Sequence, residues 1–180
     1  MNNSDNLQNP IRPDWHEYFM SMAKLASTRS TCLAFPVGAV IVKDKQILAT
    51  GYNGSPSGSE HCTTQGFCYP GLISCDTSKT LPSRAVHAET NAIAQASKHG
   101  MPTAGAEIYV TLEPCLNCLK LIISAGIKDV YYEKSFYDKE SNLNKIEIRD
   151  LFIKEGLVNL HQIQIRKDVI DLVKDILSIL

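Results

Sequence analysis

The apolar positions of this chain come in short blocks, and their spacing changes from block to block. Residues 1–12 are polar and aperiodic and read as a disordered tail. Pro13-Asp14 announces a helix. Trp15, Tyr18, Phe19, Met22, Leu25 and Ala26 recur at spacings of three and four and define its predicted inner face, which fades near Ser30. Residues 37–42 and 47–52 are short, apolar and partly β-branched. The polar stretch 43–46 joins them into a predicted hairpin. Residues 53–85 then lose all periodicity, opening on the turn chemistry of Asn53-Gly54-Ser55-Pro56. Regular spacing returns with a helix over 88–98, where Ala92, Ile93 and Ala96 point inward and Gly100 is the stop. A strand over 107–111 leads to a helix over 114–125, with Leu116, Leu119, Ile122 and Ile123 inward and Gly126 at its end. A strand over 128–132, a polar loop, a helix over 144–155 closed by Gly156 and a strand over 158–165 follow. The last element, 167–180, is an amphipathic helix with Val169, Ile170, Val173, Ile176 and Leu177 inward. The order α-β-β-α-β-α-β-α-β-α implies an α/β fold: helices on both sides of one mixed five-stranded sheet. Residues 13–180 read as one domain, with 53–85 as a cysteine-rich insertion.

Composition narrows the classes of function. At 180 residues the chain can bury a substantial core. Its net charge is −1, so nothing suggests a nucleic-acid surface or a polybasic membrane contact, and no apolar run is long enough to span a bilayer. No secretory leader is recognisable at Met1 to Asp5, and a cytoplasmic location is expected. Six cysteines in a reducing compartment point to metal ligation or catalysis rather than disulfides.

The chemistry concentrates in two stretches: His87-Ala88-Glu89 and Pro114-Cys115-Leu116-Asn117-Cys118. The combination is the signature of zinc-dependent nucleobase deaminases. The residue types suit the chemistry. His87, Cys115 and Cys118 supply three soft or borderline donors, and a catalytic zinc keeps its fourth position for water. Two cysteines at i and i+3 at a helix start share a face, near the positive end of the helix dipole, which favours thiolates. Water on such a zinc ionises near neutrality and becomes the nucleophile. Glu89, two residues from the histidine, is placed to act as proton shuttle between water, the ring nitrogen and the departing ammonia. A closed structural zinc knuckle is the competing reading of the same residues.

Over residues 27–135 the chain resembles the deoxycytidylate (dCMP) deaminase family. The resemblance rests on residues 37–42, Gly51-Tyr52-Asn53-Gly54-Ser55-Pro56, Val86-His87-Ala88-Glu89-Thr90-Asn91-Ala92-Ile93, and Tyr109-Val110-Thr111-Leu112-Glu113-Pro114-Cys115. It implies a three-layer α/β/α cytidine-deaminase-like fold and the conversion of dCMP and water to dUMP and ammonia. It also implies substrate contacts from Asn53 and from Tyr137, beside Asp138. Family members are commonly hexameric, and many respond to dCTP and dTTP. Here the usual pair of arginines before the first strand is replaced by Ala34-Phe35, so effector control is an open expectation. The resemblance further implies a second, structural zinc held by Cys32, Cys62, Cys68 and Cys75, with His61 as an alternative ligand. Arg84 and Arg29 are candidate phosphate contacts. Other deaminases acting on tRNA adenosine or free (deoxy)cytidine, and late-competence proteins with an interaction role, are the alternatives.

Overall fold

The computed structural model describes residues 11–33, 35–66, 84–135 and 143–179. Strands β1 (Gly38–Lys43) and β2 (Gln46–Tyr52) form an antiparallel hairpin that turns at Asp44 and Lys45, both at positive φ (50° and 62°). Two successive left-handed residues give the twist a two-residue hairpin needs. On its other edge β1 pairs antiparallel with β3 (Glu107–Leu112). Parallel pairings then add β4 (Asp129–Lys134) and β5 (Asn159–Gln162), giving the order β2-β1-β3-β4-β5.

Both faces of the sheet are covered, which is why β1 is an unbroken apolar run. On one face Ala39, Ile41, Ile108, Val110 and Val130 meet helices α3 (Ala88–Lys98) and α4 (Leu116–Ser124) through Ala88, Ala92, Ala96, Leu119 and Ile122. On the other, Val40, Val42 and Tyr109 meet Phe19, Met20 and Ala23 of α1 (Trp15–Ser27) and Val169 of α6 (Lys167–Ile179). Two glycines let the helices approach. A methyl group at Gly38 would strike the backbone of α1 at Ala23 and Ser27, and one at Gly51 the backbone of α3 at Ala88 and Ala92. Helix α5 (Leu143–Lys154) precedes β5, and Gly100, Gly126 and Gly156 follow α3, α4 and α5 at positive φ, as the helix stops predicted.

Three expectations are corrected. The inner face of α1 is Glu17, Phe19, Met20 and Ala23, while Trp15, Tyr18 and Leu25 are exposed. The reason is a buried charge. Arg166 donates from Nε to Glu17 Oε1 at 2.8 Å, from NH2 to Oε2 at 3.1 Å and from its backbone N–H to Oε1 at 3.1 Å. A glutamate on the inner face is invisible to apolar periodicity, which therefore points to a different face of the helix. Second, Ile176 and Leu177 are exposed, and α6 packs on the core through Val169 and Ile170 near its start. Third, a short helix, α2 (Cys62–Gln65), interrupts the aperiodic insertion and ends on left-handed Gly66. Among the described residues no helix is long and apolar enough to cross a membrane.

Candidate metal centre

Two helix starts converge beside the ends of the central strands. After β3, the Glu113 N–H donates to the Lys134 carbonyl at 2.8 Å and extends the parallel ladder by one bond. Pro114 follows, and Cys115 is the N-cap of α4. Pro114 therefore precedes the helix rather than opening its first turn, and Cys118 is the third helical residue. His87 is approached from the other side. Gly54, just after β2, pairs with Val86 through two backbone hydrogen bonds of 3.2 and 2.9 Å, which fixes the chain immediately before His87. His87 is the N-cap of α3.

Neither N-cap side chain makes a capping bond. Both turn to each other instead. His87 Nδ1 lies 3.5 Å from Cys115 Sγ and 3.3 Å from Cys118 Sγ. The three donor atoms all fall within 4.8 Å of one another, and among the described residues no other three His, Cys, Asp or Glu side chains do so. His87 is exposed, Cys115 half-buried and Cys118 buried, so the cluster has one open side.

Glu89 lies beneath it, 4% exposed, at the second position of α3. Burial pushes its carboxyl pKa up, against the lowering pull of its own backbone N–H and of His87. The two cysteines divide their protons unequally. Hydrogen bonds from Cys118 and then His87 bring Cys115 down to about 4, while the same thiolate and burial push Cys118 up. The bond to Cys115 raises the pKa of His87. Thr90 Oγ1 is 3.8 Å from Cys118 Sγ and gives that sulfur a hydroxyl neighbour. One imidazole and two thiols at mutual metal-ligand range, with an open side, fit a catalytic zinc and leave room for a fourth ligand.

The other residues singled out in the sequence lie differently. Asn53 is 7% exposed, and its side chain is engaged with the segment before β1. Oδ1 accepts from the Val37 N–H (2.9 Å) and the Ser30 hydroxyl (2.6 Å), and Nδ2 donates to the Phe35 carbonyl (2.6 Å). Arg84 donates to Gln65 Oε1 (2.8 Å) and Ser59 Oγ (2.6 Å), tying the insertion together. Cys62 is buried and Cys32 half-buried, both as free thiols, and the buried Nδ1 of His61 has no hydrogen-bond partner among the described residues. Cys68, Cys75, Tyr137 and Asp138 lie outside the described residues. Sequence reasoning gave no role to Glu113 or to Arg149 of α5, which form an ion pair at 2.7 Å. The available signal was a carboxylate between the end of β3 and Pro114. Nothing in the pattern of α5 singled out its partner.

A mixed sheet whose neighbouring helix starts bring together one histidine and two cysteines, with a buried glutamate beside them, defines a zinc-dependent nucleobase deaminase. The chain belongs to the family described as "Cytidine and deoxycytidylate deaminase zinc-binding region", which it matches over residues 13–134. It is 42% identical over 161 residues to ComE operon protein 2 of Bacillus subtilis, covering 89% of this chain and 77% of that one. Deoxycytidylate deaminase of Mycobacterium phage D29 is 43% identical over 127 residues, or 68% of this chain and 97% of the phage protein. Among solved structures, the dCMP deaminase of cyanophage S-TIM5 in complex with dCMP and dUMP superposes with a TM-score of 0.65. The two share 30% identity, over 85% of this chain and 99% of that chain.

Proposed function

We propose that this protein deaminates dCMP hydrolytically, giving dUMP and ammonia. The observation that carries the reading is the convergence of His87 Nδ1, Cys115 Sγ and Cys118 Sγ over the buried carboxyl of Glu89. The choice of dCMP is supported by the similarity to deoxycytidylate deaminases at up to 43% identity and to a structure that holds dCMP and dUMP.

A zinc ion held by His87, Cys115 and Cys118 supplies Lewis-acid activation of the attacking water. The protein's own residues do the rest. Glu89 takes a proton from that water and delivers it to the ring nitrogen beside the reacting carbon. It then returns the second proton to the amino nitrogen, which leaves as ammonia. Burial raises the pKa of this carboxyl, so it holds a proton more readily than an exposed glutamate and can carry one from water to substrate. Asn53 shapes the substrate pocket by holding Ser30, Phe35 and Val37 against the end of β2, and among the described residues one Nδ2 hydrogen is left for a ligand. Tyr137 is a further substrate contact in this reading.

The same proposal includes a second, structural zinc on Cys32, Cys62, Cys68 and Cys75, which would pin an insertion whose sequence offers few large aliphatic residues. It includes a homo-oligomer, up to a hexamer, as a use for the exposed apolar side chains of α5 and α6, and a cytoplasmic location. dCTP and dTTP are the effectors to assay.

One experiment covers the core of the reading. The purified protein is analysed for zinc and assayed side by side on dCMP, dCTP, deoxycytidine and a tRNA stem-loop. Preference for dCMP, with Glu89→Ala keeping its zinc while turnover falls at least about a hundredfold, is the expected result. Unimpaired turnover in that variant overturns the role of Glu89, and preference for another substrate overturns dCMP. Two zinc ions per chain support the second site, and one removes it.

A further inference from the structure

The buried sulfur of Cys118 has a neighbour that neither the ligand set nor the proton transfer uses. Thr90 stands in the first turn of α3, which begins at the N-cap His87, and its Oγ1 lies 3.8 Å from Cys118 Sγ. A threonine inside a helix commonly turns its hydroxyl back to the carbonyl three or four residues earlier. Here those carbonyls have other donors. Val86 accepts the Gly54 N–H at 3.2 Å, in the bridge that fixes the chain before His87, and His87 accepts the Asn91 N–H at 3.0 Å. The Thr90 hydroxyl is turned across to α4 instead. Cys118 is 4% exposed, so water does not stand in freely for a missing donor at this sulfur. Its other hydrogen-bond neighbours among the described residues are His87 Nδ1 at 3.3 Å, the Cys115 thiol and the Glu89 carboxyl. The first two are fellow ligands, and the third carries the protons of the reaction. Thr90 contacts the sulfur with no other task.

We infer that Thr90 is a positioning residue of the metal centre, whose hydroxyl donates to the Cys118 sulfur and holds that ligand against α3. Across this contact either the hydroxyl or the thiol can be the donor. A cysteine that ligates a metal has given up its proton, so in the metal-bound site the hydrogen comes from Thr90. The bond ties a ligand in the first turn of α4 to the turn of α3 that starts at His87, and so keeps two ligands from different helices at a fixed separation. A hydrogen bond to a ligating sulfur also draws electron density from it and leaves the metal the stronger Lewis acid. Valine has the branched shape of threonine without the hydroxyl. Thr90→Val therefore removes the bond and little else.

This inference rests on the zinc reading, and the test separates the two. Zinc affinity is measured by chelator competition. The state of the sulfur is read from the sulfur-to-metal charge-transfer band of the cobalt(II)-loaded protein. The proteins compared are wild type, Thr90→Val and Thr90→Ser. Thr90→Val is expected to bind zinc about tenfold more weakly, as loss of a hydrogen bond to a ligand does. Its charge-transfer band is expected to move to longer wavelength, because a sulfur without its donor releases an electron more readily. Thr90→Ser keeps the hydroxyl and is expected to keep both wild-type values. Thr90→Val with wild-type affinity and band overturns the inference. Weaker binding with an unmoved band overturns it too, since the hydroxyl then does not act on the sulfur. So does a serine variant that falls as far as the valine one, which would make the methyl group the part that matters. Failure of the wild-type protein to bind zinc at all overturns the zinc reading, and this inference with it. Should Thr90→Val not fold, Thr90→Ala takes its place against Thr90→Ser, with the same two measurements and the same outcomes.

Discussion

His87 and Cys115 sit at N-cap positions, where a side-chain oxygen ordinarily accepts from the helix's first N–H groups. Neither side chain does so here, because both are turned toward the metal-ligand cluster. The two helices forgo about 1 kcal/mol each of capping stability for that geometry. Cys115→Ser tests the trade directly. The serine can cap α4, so the metal-free variant is expected to be more stable than metal-free wild type by about 0.5–2 kcal/mol. It is also expected to lose its zinc and its turnover. Equal or lower stability on chemical denaturation would show that α4 draws its stability from elsewhere. At this scale the sequence was most informative. The residue types and spacings of His87, Glu89, Cys115 and Cys118 are demanded by the chemistry itself, and chemistry needs no tertiary context to be recognised. Asn53 was legible only as a turn residue or a ligand. Its bonds to Ser30, Phe35 and Val37 belong to residues sixteen or more positions away and leave no local mark.

At the scale of elements, periodicity found the helices and strands because both faces of the sheet must be covered with apolar side chains. The ends moved by a few residues: the expected strand 158–165 pairs only over Asn159–Gln162. The sequence also placed the α1 face wrongly, since Glu17 is buried by a partner 149 residues away. Contact between α3 and β2 depends on Gly51, which a sequence reader takes for a flexible strand end. A methyl group there meets the backbone of Ala88 and Ala92, which cannot move aside as a side chain would. Gly51→Ala is therefore expected to cost about 1–3 kcal/mol of stability and to lower turnover, because α3 carries His87 and Glu89. Wild-type melting temperature and turnover in that variant would show that the helix can shift without disturbing the site.

Across the whole molecule, the Arg166–Glu17 contact joins the first helix to the start of the last. The guanidinium of Arg166, with the backbone N–H groups of Asp14 and Arg166, lowers the Glu17 carboxyl from 4.5 to about 2. A carboxyl more acidic in the folded than in the unfolded chain stabilises the fold above its unfolded pKa. That contribution is complete above about pH 4.5 and is lost as pH falls toward 2. Glu17→Gln should thus be less stable than wild type near neutrality, with the gap closing between those pH values. A gap that stays constant down to pH 2 would mean that packing, not charge, makes the difference.

By itself the sequence determined the zinc-deaminase class, the layered α/β order and the four residues at the centre of the chemistry. These follow from local rules: a ligand set has a fixed spacing, and an element has a fixed period. Only the tertiary structure decided which face of α1 is inner, that Ile176 and Leu177 of α6 are exposed, and that Asn53 and Arg84 are engaged within the fold. It also brought Arg149 to the turn before Cys115, thirty-six positions earlier in the chain. Each of these depends on a partner distant in sequence. A buried charge or a shared hydrogen bond is a property of the pair, and the pair exists only once the chain has folded.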